Sequence, residues 1–149
     1  FPLWCINSGL SIDNHPIEFE KHRYLLPLYM DNSKEIVLIK AAQLGATSYQ
    51  LMRLLWFLVV NQGTKGSLYL PNKELAENIS KDRLDPILKA NVFNGLVQTT
   101  DKLTLKRIGA SSLYLMHLEG KSSKDSVPLD AIFFDEVRLV SEKSIDQAQ

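Results

Sequence analysis

The sequence predicts an α/β fold, a mainly parallel sheet flanked by helices, and three observations predict it. Short apolar runs rich in β-branched or aromatic residues stand at 36–39, 67–70 and 131–134, each bounded by polar or turn-forming residues. A long, almost wholly apolar stretch at 47–61 lies between the first two, and a second helix-like stretch at 73–89 follows them. Strands that alternate with helices imply a sheet covered by helices. The composition, 45% hydrophobic and 23% charged over 149 residues, is that of one ordinary globular domain and excludes disorder, collagen and a disulfide scaffold.

In chain order, 1–12 is mixed, and Asp13-Asn14-His15-Pro16 is turn chemistry leading into a short helix over 19–26 that ends near Pro27. After a turn at Asp31-Asn32-Ser33, the run Ile36-Val37-Leu38-Ile39 between Glu35 and Lys40 has the pattern of a central parallel strand buried on both faces. From Thr47 to Asn61 only Arg53 interrupts the apolar series Leu51, Met52, Leu54, Leu55, Trp56, Phe57, Leu58, Val59, Val60, so this helix is buried. Gln62-Gly63 and Lys65-Gly66 stop it, and Ser67-Leu68-Tyr69-Leu70 is a second strand. Pro71-Asn72 opens a helix over 73–89, with Pro86 disturbing its last turn. Residues 91–100 are irregular, 102–108 and 112–118 pair as a hairpin through Gly109-Ala110, and 131–134 is another short buried strand.

Seventeen Lys and Arg balance seventeen Asp and Glu, so any contact with nucleic acid must be a local patch. The single cysteine, Cys5, cannot form an internal disulfide, and with His15, His22 and His117 it shows no zinc-ligand spacing. A reducing, intracellular compartment is expected. The longest apolar run, at 54–60, has seven residues against the ~20 of a membrane helix, and no basic stretch precedes an apolar leader. The chain begins with Phe1 and ends in the polar 141–149 segment, which suggests an excerpt of a longer protein.

Chemistry concentrates in two segments. Lys40-Ala41-Ala42-Gln43-Leu44-Gly45-Ala46-Thr47-Ser48 joins the first strand to the buried helix, the setting in which backbone N–H groups at a helix N-terminus hold phosphate. Against the pattern GxxxxGK[ST], Gly45 and Thr47 match, Lys40 occupies the place of the first Gly and Ala46 that of the Lys, so the phosphate-neutralising lysine is displaced to the start of the loop. Glu119-Gly120-Lys121-Ser122-Ser123 keeps the Gly-Lys-Ser letters, but Lys124-Asp125-Ser126-Val127-Pro128 cannot supply the helix that must follow, and it reads as a surface loop. The second segment is Ala131-Ile132-Phe133-Phe134-Asp135-Glu136, an apolar strand with two carboxylates at its C-terminal tip, where parallel sheets present ligands. There Asp135 suits a Mg²⁺ site and Glu136 suits activation of a water.

Together these residues resemble the ATPase domain of the large terminase subunit of tailed bacteriophages, the motor that packages viral DNA. Pro16-Ile17-Glu18-Phe19 with Arg23-Tyr24 is similar to the stretch that touches adenine in that family, Lys40 to Thr47 to its variant phosphate loop, Leu68-Tyr69-Leu70-Pro71-Asn72 with Arg83-Leu84-Asp85-Pro86-Ile87-Leu88 to its second strand and helix, and Val127-Pro128-Leu129-Asp130 to the approach to its acidic pair. The resemblance implies an additional-strand, catalytic-glutamate phosphate-loop NTPase, with 1–34 as adenine-side lead-in, 35–62 as phosphate-loop unit and 67–140 as the remainder. It implies ATP and Mg²⁺ as ligands. Nucleotide would be bound by Lys40, Gln43, Gly45, Ala46, Thr47, Ser48, Phe19 and Arg23, metal by Thr47 and Asp135, and catalysis would fall to Glu136 with Asp135.

Two departures accompany it. The arginine that the family carries upstream of its catalytic glutamate is Asp125 here, leaving the adjacent Lys124, or Lys121, as the candidate trans-acting cation. The family's coupling motif and nuclease domain are absent from this sequence. Implied partners are double-stranded DNA, the small terminase subunit, the portal and procapsid and further copies of the chain in a ring, without a membrane, in the cytoplasm of an infected bacterial host. The alternatives are a helicase-like DNA translocase fragment and a non-catalytic α/β interaction domain.

Overall fold

The computed structural model describes residues 1–12, 15–41, 43–98, 102–118 and 127–137. Helix α1 (Pro2–Asn7) and a two-stranded ribbon of β1 (Ser11–Ile12) and β2 (His15–Pro16) lead to a 3₁₀ turn at Arg23–Leu25 and helix α2 (Leu26–Met30). Pro27 sits in the first turn of α2, where its missing N–H has no helical acceptor to lose, so it starts this helix and does not end the one expected before it. Helix α3 (Ala46–Val60) and strand β3 (Lys65–Leu70) follow as the sequence predicts. The next helical stretch is continuous but changes pitch: α4 (Lys73–Asn78), a π-helical segment Ile79–Leu84, and α5 (Asp85–Leu88), whose first turn contains Pro86. The Asn72 side chain accepts from the Leu75 N–H at 2.9 Å and caps α4. A 3₁₀ turn at Asn91–Phe93 and the short β4 (Val97–Gln98) occupy the stretch read as irregular. β5 (Leu105–Ile108) and β6 (Ser111–His117) form the expected hairpin, and β7 (Ala131–Phe134) the last strand.

Five strands form one open sheet in the order β4-β5-β6-β3-β7. Only β3 pairs parallel, with β6 on one side and β7 on the other; β5 pairs antiparallel with β4 and β6, so the sheet is mixed and not mainly parallel. The larger correction concerns 35–40. These residues form no strand, and Val37 and Ile39 are 91% and 96% exposed, because β7, half-buried at the sheet edge, has no described neighbour on its outer side and the run reaches no ladder. An apolar run acquires strand geometry from pairing and burial, and this one has neither.

The core lies between α3 and the sheet. Leu51, Met52, Leu54, Leu55 and Leu58 of α3 are fully buried, as are Leu68 and Leu70 of β3 and Leu113 of β6. A Cβ at Gly66 would stand 2.4 Å from Leu54 Cδ1, so glycine is what lets helix and strand meet here. Since α3 runs back along the sheet to enter β3, its first turn lies at the C-terminal ends of the parallel strands. Among the described residues no helix is long and apolar enough to cross a membrane.

Candidate active site

Gly45 precedes α3 in the left-handed region at φ 78°, a conformation that glycine adopts without a Cβ penalty and that turns the loop sharply into the helix. The helical ladder begins where the Tyr49 N–H donates to the Gly45 carbonyl at 2.9 Å. The amides of Ala46, Thr47 and Ser48 therefore have no acceptor within the helix, and no Gly45 side chain caps them. Such an end carries partial positive charge and accepts an anion. Gln43 is also left-handed, at φ 60°, which is unusual for a residue with a side chain.

At the opposite side of the site, a reciprocal pair of hydrogen bonds between Asp130 and Lys65 and a single one from Asp135 to Tyr69 keep β7 in register with β3: Asp130 N–H donates to Lys65 O at 2.8 Å, Lys65 N–H to Asp130 Oδ2 at 2.8 Å, and Asp135 N–H to Tyr69 O at 3.0 Å. Tyr69 and Phe134 stack with ring centroids 5.2 Å apart. Beyond Phe134 the chain turns at Glu136, whose φ of 53° is again left-handed and whose N–H donates to Asp135 Oδ1 at 3.0 Å. Non-glycine residues held there cost energy that the surrounding contacts must offset.

Those contacts join the two segments read separately from the sequence. The Thr47 hydroxyl donates to Asp135 Oδ2, linking the first turn of α3 to the tip of β7. Asp135 is 3% exposed, so its carboxylate is held by hydrogen bonds in place of solvent. Lys40 Nζ lies 3.0 Å from Glu136 Oε1. Gln50, one turn after Thr47 on the same helix face, donates from Nε2 to the Phe134 carbonyl at 3.0 Å. A cavity of about 270 Å³ opens among Lys40, Gln50, Asp135 and Glu136.

A second cavity, of about 200 Å³, lies on the other side of the loop. Phe19, Tyr24, Leu25 and Tyr29 line it together with Gln43, Gly45 and Ser48. Phe19 packs edge-on to Tyr29 at 4.8 Å between centroids. His15 and His22 also line it, and His22 Nδ1 lies 3.3 Å from the Tyr24 hydroxyl. Arg23 is exposed and does not line this cavity. The structure thus gathers Lys40, Thr47, Asp135 and Glu136 on one side of the loop and Phe19, Gln43, Gly45 and Ser48 on the other, with buried Ala46 opening the helix. Lys121, Lys124 and the Gly120-Lys121-Ser122 loop lie outside the described residues.

The donor set fits a nucleotide with magnesium. Among the described residues no group of three or more His, Cys, Asp or Glu could hold a metal by itself. A hydroxyl and a carboxylate side by side, at the mouth of an anion-accepting helix end, suit an ion that draws its remaining oxygens from phosphate and water. Gln50 was not legible as a site residue; its spacing of three from Thr47 is the signal that places it on the same face. Comparison of the chain with protein-family models, curated proteins and solved structures finds no match.

Proposed function

We propose that this chain is an ATP-binding and ATP-hydrolysing domain of the phosphate-loop class, with the variant lysine at the start of its loop. The observation that carries the reading is the pair of contacts Thr47–Asp135 and Lys40–Glu136, which bridge 88 and 96 residues of sequence and converge at the N-terminus of α3. In this reading the backbone amides at 45–47 and the Lys40 ammonium bind phosphate oxygens, and the cavity lined by Phe19, Tyr24 and Tyr29 receives the base. Thr47 and Asp135 would hold Mg²⁺, which when bound neutralises phosphate charge. Glu136 accepts a proton from the water that forms a bond to the γ-phosphorus as the bond to the β–γ bridging oxygen breaks, giving ADP and phosphate.

The packaging role rests on the resemblance of the same residues to the terminase large subunit. It carries with it double-stranded DNA, the small subunit, the portal and procapsid, a ring of like subunits and the cytoplasm of an infected bacterium. The test of the activity is calorimetric titration with MgATP. Binding is expected, with loss on Lys40→Ala; a wild-type protein that binds no nucleotide overturns the reading.

A further inference from the structure

We propose that Gln50 is a positioning residue that fixes the peptide between Phe134 and Asp135 and, through it, the Glu136 carboxylate that the ATPase reading makes the base; the inference rests on that reading. A base acts on a water only from a narrow range of distances and angles, and a misplacement of about 1 Å can cost roughly a hundredfold in rate. Glu136 stands just past the end of β7, where the ladder to β3 gives out. What holds the backbone there sets its aim.

The Asp135 N–H donates to the Tyr69 carbonyl at 3.0 Å, so the peptide between Phe134 and Asp135 presents its N–H to β3. The peptide is trans, which turns the Phe134 carbonyl the opposite way, toward the outer edge of β7. No described strand pairs with β7 on that edge. The Gln50 side chain takes the place of one, donating from Nε2 to the Phe134 carbonyl at 3.0 Å. One peptide is thus gripped from both sides, by β3 and by α3. Held from one side, a strand end can pivot about its remaining hydrogen bonds; held from both, it has lost that freedom.

The next two residues build on that peptide. Asp135 Oδ2 receives the Thr47 hydroxyl and its Oδ1 the Glu136 N–H at 3.0 Å. Glu136 then turns at φ 53°, a conformation that costs a residue with a side chain energy and persists where its surroundings impose it. Thr47 and Gln50 are three residues apart on one face of α3, so that face holds the tip twice, once by the Asp135 side chain and once by the backbone just before it. Thr47 has a further use in the proposed metal site. Gln50 has its printed contact with neither the metal ligands nor the base, and what it fixes is the backbone from which Asp135 and Glu136 project.

Gln50→Met keeps the length of the side chain without its donor, and Gln50→Asn keeps the donor one methylene short of the carbonyl. Each is compared with the wild type in melting temperature, in MgATP affinity by calorimetry, in steady-state hydrolysis, and in single-turnover hydrolysis with and without Glu136→Gln. Both variants should lose about ten- to a hundredfold in kcat, with KM and MgATP affinity held within about threefold. In the Glu136→Gln background the same changes should alter the residual single-turnover rate by less than about twofold, because a base that is gone has no aim to lose. A contact that only supports the fold would act alike in both backgrounds. Equal losses with and without Glu136, affinity falling in step with kcat, or wild-type turnover in either variant overturns the proposal. Where Gln50→Met does not fold, Gln50→Asn decides by the same criteria; if neither folds, Gln50 serves the fold and the proposal is overturned. A wild type that binds no MgATP, or binds it without hydrolysis, is a distinct result: it removes the ATPase reading, and the proposal with it.

Discussion

Lys40 and Glu136 form an ion pair, 3.0 Å between Nζ and Oε1, with only 20% and 28% of their side chains exposed. The two were assigned to different tasks from the sequence, one to phosphate and one to water, and the structure pairs them with each other. In the proposed reading, a phosphate arriving at the α3 N-terminus would compete with Glu136 for the ammonium.

Replacing Lys40 by Ala should weaken MgATP binding by more than about tenfold, since a charge-assisted contact to phosphate is lost. It also leaves a mostly buried carboxylate without Lys40, so the melting temperature should fall, and Glu136→Gln in the same chain should restore part of it. Unaltered affinity in calorimetry would remove Lys40 from the site.

Glu136→Gln should keep nucleotide binding and lose turnover. The amide is nearly isosteric but cannot accept the proton, so the loss falls on the chemical step, about 10²–10⁴-fold. Asp135→Asn should instead raise the Mg²⁺ concentration needed for binding. Steady-state hydrolysis with a Mg²⁺ titration separates the two, and a wild-type rate in Glu136→Gln would reduce the acidic pair to a plain strand end.

Leu54→Ala should be severely destabilising. Leu54 is fully buried and stands over Gly66, where the close approach of α3 to β3 leaves little room for the helix to settle further into the gap. A loss of about 2–5 kcal/mol is expected in urea unfolding. Gly66→Ala should also destabilise, through overlap with Leu54 Cδ1 and not through a cavity, and the double variant should be less harmful than the two losses added. Simple additivity would mean that the contact does not set the helix–strand distance.

Legibility in the sequence followed how far each element depends on distant partners. Helix α3 was legible because apolar residues surround it, and the β5–β6 hairpin because Gly109 and Ala110 mark its turn. The 36–39 run was not, since the same pattern describes a paired central strand and an apolar segment that pairs with none of the described strands. Pro27 misled because a proline opens a helix as readily as it closes one. In the candidate site, Lys40, Thr47, Asp135 and Glu136 were singled out by loop and strand-end chemistry, and the structure brings them together. Gln50 was passed over because a glutamine within a helix carries little beyond its spacing from Thr47, and the carbonyl it donates to lies 84 residues away.

The last prediction concerns alkaline pH. Burial pushes the Cys5 thiol from its ordinary 9.0 up to about 12, with the ammonium of Phe1 and then the Arg53 guanidinium only partly opposing it. Burial likewise raises the phenols of Tyr29, Tyr49 and Tyr69 above their ordinary 10.0. A group with a raised folded pKa keeps its proton in the folded chain while the unfolded chain releases it. Its stabilising contribution is therefore complete below the unfolded value and is lost as pH rises through the folded one. Stability should be level up to about pH 9, fall from there with Cys5, and fall more steeply above about pH 10 as the tyrosines join. Urea midpoints followed across this range read the slope. Tyr29→Phe removes one of the titrating phenols while keeping the ring that stacks on Phe1 at 5.1 Å, so its curve should match the wild type below pH 9 and decline less steeply above pH 10. A wild-type midpoint that stays level to pH 11 would show that these groups reach water in the folded chain, and that the cluster of Phe1, Cys5, Tyr29 and Tyr49 is not closed.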